Sequence, residues 1–210
     1  MTINIAKLNA DVSGKSPQEI IEAVIKADPN IFVTTNFGPN SAVLLHMLTQ
    51  VKPDIPVVWI DSGLNKPETY EFAEICIEEL NLNMMTYTPN MTLSRLEAVM
   101  GGIPSVHDSR HAEFTKQFKL EPFERAVKAQ SNRVWFTAVR REQTATRAEM
   151  DYVAEGPFGL TKIAPLLDWT EAEVAQYIEE HGLPNETEYF DPTKAENDRE
   201  CGLHTIAVRQ

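Results

Sequence analysis

The sequence is poor in cysteine, has no long apolar run and carries fewer cations than carboxylates. Cys76 and Cys201 are its only cysteines among 210 residues, so one chain supplies neither a disulfide framework nor the four thiolates of an iron–sulfur cluster. No segment has the apolar length that crosses a membrane, and the N-terminus lacks the basic and apolar stretches of a signal peptide. We therefore expect a cytoplasmic protein that has no membrane partner.

Basic residues are scarce over the whole chain but concentrated at one place. The formal net charge of −12 argues against nucleic acid as a partner, because such binding requires a basic face that neutralises phosphates. Against this average, three arginines fall within residues 140–147. Arginine presents a planar, permanently charged fork that matches phosphate and sulfate oxygens. The cluster indicates a local anion site, and a solvated, ion-paired face is the alternative.

Apolar segments of strand length alternate with helical segments along most of the chain. Continuous apolar strands separated by helices are typical of a parallel sheet that is covered on both faces. We predict an α/β fold with a doubly wound, mostly parallel sheet in a domain spanning residues 1–181, followed by a mobile C-terminal tail at 182–210. The predicted strands are residues 31–35, 57–60, 84–87, 134–138 and 160–163, and the clearest helices begin near Ser16, Ser41, Pro67, Glu121 and Thr170.

Three polar segments follow predicted strands, where open parallel sheets bind ligands. The turn at 37–41 combines a glycine with a helix N-terminus, which suits an anion. The turn at 61–63 follows the second strand, and the arginine cluster follows the fourth. An ordinary turn and a helix cap are the alternatives for the first two. The candidate substrate-binding residues are Phe37, Gly38, Asn40, Ser41, Asp61, Ser62, Gly63, Arg140, Arg141 and Arg147.

Cys201 lies in a charged, glycine-containing segment and not in an apolar run. A cysteine that serves packing normally behaves as a small hydrophobe. Sulfur attacks as the thiolate, which nearby cations or an imidazole favour, and Arg199 and His204 are close in sequence. These three residues are the candidate catalytic group, and an exposed cysteine without a role is the alternative. Cys76, in contrast, lies at helical spacing among apolar residues and is expected in the core.

The segment around Cys201, Arg-Glu-Cys-Gly-Leu-His, resembles the signature of the thioredoxin-dependent phosphoadenylyl-sulfate (PAPS) reductase family. The turn at 37–41 is similar to the family's modified phosphate-binding loop, a relative of the loop in ATP pyrophosphatases. Residues 61–70 resemble its Asp-Thr/Ser-Gly and Pro-Glu-Thr-Tyr stretch, and residues 139–148 its Leu-Arg-Arg-Glu-Gln and Ser/Thr-Arg-Ala pattern. The resemblance implies a nucleotide-binding domain of the adenine nucleotide alpha hydrolase-like (PP-loop) type.

The resemblance also implies an activity. It is the reduction of PAPS to sulfite and adenosine 3′,5′-bisphosphate in sulfate assimilation, through an S-sulfocysteine on Cys201. Thioredoxin or glutaredoxin would be the external reductant, and a homodimer is among the assemblies that the resemblance allows. Neither a metal nor an iron–sulfur cluster is implied, because the cluster-binding branch has a Cys-Cys pair where this chain has Phe114-Thr115 and a second Cys-x-x-Cys that this chain lacks.

Between His181 and Arg199 the chain departs from the family pattern. The family usually has a longer segment there with a Gly-Tyr…Gly-Asp-like element, which this chain replaces by residues 184–198. Three alternatives to the PAPS reductase therefore remain: a cluster-free adenylyl-sulfate (APS) reductase, an ATP pyrophosphatase-type enzyme and a non-catalytic nucleotide-binding homologue.

Overall fold

The computed structural model describes residues 3–193, so Arg199, Cys201 and His204 lie outside the described residues. In this part of the chain a central sheet has helices on both faces. The strands are β1 (Ile31–Thr35), β2 (Pro56–Ile60), β3 (Asn83–Tyr87), β4 (Val134–Phe136), β5 (Val153–Glu155) and β6 (Thr161–Ile163). The α-helices are α1 (Ile5–Val12), α2 (Pro17–Ala27), α3 (Ser41–Val51), α4 (Pro67–Glu79), α5 (Leu93–Met100), α6 (His111–Thr115), α7 (Glu121–Lys128), α8 (Ala145–Ala148) and α9 (Glu171–His181).

The sheet has the strand order β3-β2-β1-β4-β6-β5, and every pair is parallel except β5 with β6. The predicted doubly wound, mostly parallel sheet is thus confirmed. All five predicted strands are present, although β4 ends at Phe136, two residues before the predicted end. Strands β2 and β3 lie on one side of β1, and β4, β6 and β5 lie on the other, so the order of the strands reverses between β1 and β4. Ligands of open α/β sheets bind in the crevice that such a reversal creates.

Alternate residues of each strand face opposite layers, which explains the continuous apolar runs. On one face, Val33 and Val57 pack with helices that include α2 and α3. On the other face, Phe32 and Trp135 pack against Phe123 of α7. Burying both faces leaves the ends of the strands as the place where polar side chains reach solvent.

Local capping signals position two of the helices. Ser16 caps α2 and Thr170 caps α9, and each hydroxyl accepts from the backbone N–H of the glutamate three residues on while that carboxylate binds the cap residue. The second of these caps matters for the site, because it fixes the first turn of α9. Glu171 is the first residue of that turn.

Cys76 lies in the core, as its spacing predicted. Its side chain is fully buried on α4, and burial together with the charge of Glu79 raises the pKa of the thiol to about 12. The thiol is therefore protonated at neutral pH and cannot act as a nucleophile there.

A cluster of aromatic and imidazole rings joins α3 to α9. The ring of Tyr177 contacts that of His181 at 4.2 Å between centroids, and the Tyr177 hydroxyl lies 2.8 Å from Nδ1 of His46. Burial and the nearby His181 lower the pKa of His46. Protonation of His46 consequently opposes the packing of these two helices.

The outer edge of β5 is covered by helix α1. The side-chain amide of Asn9 donates to the Val153 carbonyl at 2.7 Å, and the Val153 N–H donates to Asn9 Oδ1 at 2.9 Å. One side chain thus satisfies both outward backbone groups of this residue. Among residues 3–193, helices are too short or too polar to span a bilayer.

Candidate functional site

A cleft of about 440 Å³ opens at the carboxyl ends of β1, β2 and β4. It lies at the reversal point of the sheet, where the fold predicts a ligand. Its lining includes the turn after β1, the turn after β2 and the residues after β4. Phe118, Lys119, Phe123 and Glu171 also line it, as do four residues of the segment 185–193, which we call the strap. Of the candidate substrate-binding residues, Gly38, Asn40, Ser41, Ser62, Arg140 and Arg147 line this cleft.

The turn after β1 bends through two left-handed residues, Phe37 with φ 48° and Asn40 with φ 65°. Phe37 is fully buried and meets Trp59 edge to face at 4.9 Å between centroids, so it anchors the turn and does not line the cleft. Ser41 begins the eleven-residue helix α3, and its buried hydroxyl has no hydrogen-bond partner in the described part of the chain. The helix dipole favours an anion at this position.

The turn after β2 is organised by Asp61. Its Oδ1 accepts from the Gly63 N–H at 2.9 Å, from Asn65 at 3.2 Å and from the Tyr70 hydroxyl at 2.8 Å. Burial and the bond to Asp61 raise the pKa of Tyr70 to about 12. Asp61 and Gly63 do not line the cleft, whereas Ser62 and Asn65 do. Asp61 therefore shapes the wall of the cleft from behind.

The two adjacent arginines after β4 have different surroundings. Arg140 lines the cleft, and its buried guanidinium binds Glu142 at 2.5 Å and also Glu171. Arg141 points away: it binds Asp168 at 2.5 Å, the Ala148 carbonyl at 2.9 Å and the Met150 carbonyl. The structure thus brings Arg140 to the site and ties Arg141 to the loop that follows.

Glu171 holds two sides of the cleft together. One carboxylate oxygen accepts from the Asn40 side chain at 2.8 Å and the other accepts from Arg140. The bond from Asn40, followed by that from Arg140, keeps the pKa of Glu171 below its usual value despite partial burial. This carboxylate positions the cation of Arg140 next to the turn after β1.

Sequence reasoning did not assign a role to Lys119, which forms the opposite wall of the cleft. It lies in a π-helical turn (Lys116–Leu120) beside the aromatic side chains of Phe118 and Phe123. The available signal was the sequence Lys119-Leu120-Glu121-Pro122, which resembles a Lys-Ile-Glu-Pro-like segment in the family's cluster-binding branch. In the described residues, the cations that line the cleft are Lys119, Arg140 and Arg147, and the carboxylates are Glu171 and Asp191.

The described part of the predicted tail, residues 182–193, contacts the cleft. The Tyr189 hydroxyl accepts from the Asn36 amide at 2.8 Å, and its ring covers Gly38 so closely that a Cβ there would lie 3.1 Å from the ring. Lys119 binds Asp191 at 2.5 Å, and the side chain of Asp191 is only 7 % exposed. Burial opposes ionisation of this carboxyl, but the charge of Lys119 and hydrogen bonds from Lys119 and Thr193 hold its pKa below the usual value.

Comparison with solved structures supports the assignment of the fold. The chain superposes on a phosphoadenylyl-sulfate (PAPS) reductase from Candida auris, solved as a phosphate complex, with a TM-score of 0.74 and 27% identity over 86% of this chain and 87% of that one. An FMN adenylyltransferase from Candida glabrata gives a TM-score of 0.59 at 13% identity, covering 88% of this chain and 60% of that one. The latter likeness shows the fold alone.

Comparison of sequences identifies the family. A family model for the phosphoadenosine phosphosulfate reductase domain matches residues 30–191. A phosphoadenosine 5′-phosphosulfate reductase from Synechococcus sp. is 37% identical over 185 residues, covering 86% of this chain and 78% of that protein. A phosphoadenosine 5′-phosphosulfate reductase from Vibrio parahaemolyticus is 32% identical over an alignment of 225 positions, covering 96% of this chain and 86% of that protein. The chain therefore belongs to the phosphoadenosine phosphosulfate reductase family.

Proposed function

We propose that the protein reduces PAPS to sulfite and releases adenosine 3′,5′-bisphosphate. The observation that carries this proposal is the convergence of three cations, Lys119, Arg140 and Arg147, on one cleft at the reversal point of the sheet. PAPS carries a phosphosulfate and a 3′-phosphate, so it needs several cations within one site. The described lining carries these three cations against two carboxylates, whereas the whole chain has a formal net charge of −12.

In this proposal the parts of the cleft take different portions of the nucleotide. Arg140 and the N-terminus of α3 lie side by side and would hold the phosphosulfate, because both favour negatively charged oxygens. The apolar wall of Phe118, Phe123 and Trp135 would receive the adenine ring. Holding the anion on preorganised donors also stabilises the charge that develops as the leaving group departs.

The proposed nucleophile is Cys201, with Arg199 and His204 favouring its thiolate. The thiolate attacks the sulfate sulfur and forms an S–S bond, while the bond between that sulfur and the bridging oxygen breaks. The electron pair leaves on the phosphate, which gives adenosine 3′,5′-bisphosphate and an S-sulfocysteine. Arg140 would neutralise charge on the departing phosphate.

Release of sulfite then needs an external dithiol of the thioredoxin or glutaredoxin type. The other cysteine, Cys76, is fully buried with a pKa of about 12 and cannot resolve the intermediate. One thiolate of the dithiol attacks Cys201 sulfur and expels sulfite with the electron pair. The second thiol of the dithiol then displaces the Cys201 thiolate, so the dithiol is oxidised by two electrons.

The test is to measure sulfite and adenosine 3′,5′-bisphosphate formed from PAPS in the presence of reduced thioredoxin. Wild-type protein should release both products in equal amounts, and Cys201→Ser should release none while still binding the bisphosphate, because a hydroxyl is a far poorer nucleophile. APS in place of PAPS tests the alternative substrate in the same assay. Sulfite production by Cys201→Ser, or none by the wild type from either substrate, would contradict the proposal.

A further inference from the structure

The strap supplies an oxygen to the anion-binding turn after β1. Asn185 Oδ1 accepts from the Asn40 backbone N–H at 2.7 Å, and the Asn185 amide donates to Asn40 Oδ1 at 3.1 Å. That N–H lies at the start of α3, where a bound anion would place an oxygen of its own. The side chain of Asn185 thus occupies a backbone donor at the start of α3.

The strap also supplies a carboxylate to the opposite wall. Asp191 Oδ2 lies 2.5 Å from Lys119 Nζ, and Thr193 Oγ1 accepts from the same ammonium at 3.1 Å. With side-chain exposures of 7% for Asp191 and 15% for Lys119, the pair is largely shielded from water. Shielding strengthens the interaction, and it also means that a second anion cannot approach Lys119 without meeting the Asp191 charge.

Tyr189 fixes the strap between these two contacts. Its ring packs on Gly38 and its hydroxyl binds Asn36, so the strap lies across the turn after β1. Two further bonds stiffen the strap itself, from the Glu188 N–H to Glu186 and from the Thr193 N–H to Asp191 Oδ1 at 2.9 Å. The strap therefore presents Asn185 and Asp191 as one ordered unit.

We propose that the strap is an autoinhibitory element whose Asn185 and Asp191 oxygens occupy donors that an anionic nucleotide needs. Strap closure and binding of the nucleotide's anionic groups are then mutually exclusive. This inference rests on the proposed function for the identity of the nucleotide. If only a fraction of molecules has the strap open, the apparent dissociation constant is raised by the reciprocal of that fraction.

The first test is calorimetric titration with adenosine 3′,5′-bisphosphate and, separately, with uncharged adenosine. Asp191→Asn keeps the shape but weakens the hold on Lys119, and it should tighten bisphosphate binding by about tenfold, the scale of one charge-assisted bond. Adenosine binding should change less than about twofold, since it carries no charge. Asn185→Ala should act in the same direction as Asp191→Asn.

Glu188→Gln is the matched control. It removes a negative charge from the same strap, but Glu188 pairs with Lys66 at 3.3 Å, is 66% exposed and does not line the cleft. Its effect on bisphosphate binding should stay under about twofold, because exposed charges are screened. An equal gain in Glu188→Gln would mean that overall charge, and not the strap contact, sets the affinity.

The second test is hydrogen exchange of a peptide covering residues 185–193. Saturating adenosine 3′,5′-bisphosphate should accelerate exchange there in the wild type, because the ligand displaces the strap. Slower exchange, or weaker or unchanged bisphosphate binding in Asp191→Asn, would overturn the proposal and make the strap a wall that closes on the ligand. Failure of both variants to bind would also overturn it. These are binding measurements, so they stand apart from the sulfite assay that decides the proposed function.

Discussion

Replacing Arg140 and Arg141 separately by alanine tests which of the two arginines binds the charged groups of the nucleotide. The two residues are adjacent and identical in type, yet only Arg140 lines the cleft. Truncation of Arg140 removes a charge-assisted contact worth about 1.5–3 kcal/mol, which corresponds to a loss of roughly tenfold to 150-fold in affinity for adenosine 3′,5′-bisphosphate. The loss should fall on the bisphosphate and spare adenosine.

The cost of the Arg140 substitution to folding should be small. Its partners Glu142 and Glu171 have side-chain exposures of 41% and 65%, so both carboxylates remain hydrated when the arginine is gone. Without the positive charge of Arg140 beside it, Glu171 would also repel the ligand phosphates, which adds to the expected loss of affinity.

Arg141→Ala should show the opposite profile. Its guanidinium joins Asp168 to the carbonyls of Ala148 and Met150, so its removal should lower the free energy of unfolding by about 1–3 kcal/mol. Nucleotide affinity of the folded protein should be close to wild type. Titration calorimetry and chemical denaturation of both variants provide the measurement. Equal loss of adenosine and bisphosphate binding in Arg140→Ala, or an affinity loss confined to Arg141→Ala at unchanged stability, would refute this reasoning.

Three further predictions concern Cys76, Asp61 and His46. Cys76→Ser should keep most of the sulfite-forming activity but unfold at lower temperature, because a buried hydroxyl without a partner costs about 1–3 kcal/mol of folding free energy. Loss of activity in a stably folded variant would argue against a purely structural role for Cys76. Asp61→Ala should weaken binding of adenosine and of the bisphosphate by the same factor, since it disturbs the turn that carries Ser62 and Asn65 and removes no ligand contact. A selective loss of bisphosphate binding would instead show that Asp61 acts directly on the recognition of the phosphate groups. The lowered pKa of His46 means that the unfolded chain binds more protons than the folded one below about pH 6.5, so thermal stability should fall as the pH decreases through that value. His46→Gln should flatten this slope between about pH 5 and 6.5, and an unchanged slope would assign it to other groups.

The predictable part of the fold is the part that local sequence determines. The strands around Phe32 and Trp135 follow from continuous apolar runs, and the start of α2 follows from the capping residues at Ser16 and Glu19. Strand β5 was missed because its three residues carry no pattern of their own. Its pairing with β6 and its bonds to Asn9 create it, and both are contacts between distant parts of the chain.

The same limit applies to the site. Arg140 has extended backbone, in which successive side chains point to opposite sides. Arg141 therefore turns toward Asp168 and does not line the cleft, while the guanidinium of Arg140 binds Glu171 in the cleft lining. The sequence identifies the arginine pair but not which of the two lies inward.

The contribution of the strap was even less accessible from the sequence. The mobility of the tail stays a prediction from composition. The sequence does not reveal that Tyr189 and Asp191 have partners more than seventy residues away. Such contacts have no sequence period and no characteristic spacing. They emerge only when the sheet has placed Lys119 and Asn36 around one cleft.

The pairing of Asn9 with Val153 has a consequence for self-association. An open strand edge is a template on which another chain can add a strand. Because the Asn9 side-chain amide already binds the outward N–H and carbonyl of Val153, helix α1 blocks strand addition at the edge strand β5. Removal of residues 1–12 would leave that edge bare, and the shortened chain should then form sheet-rich aggregates at concentrations where the whole chain remains dispersed.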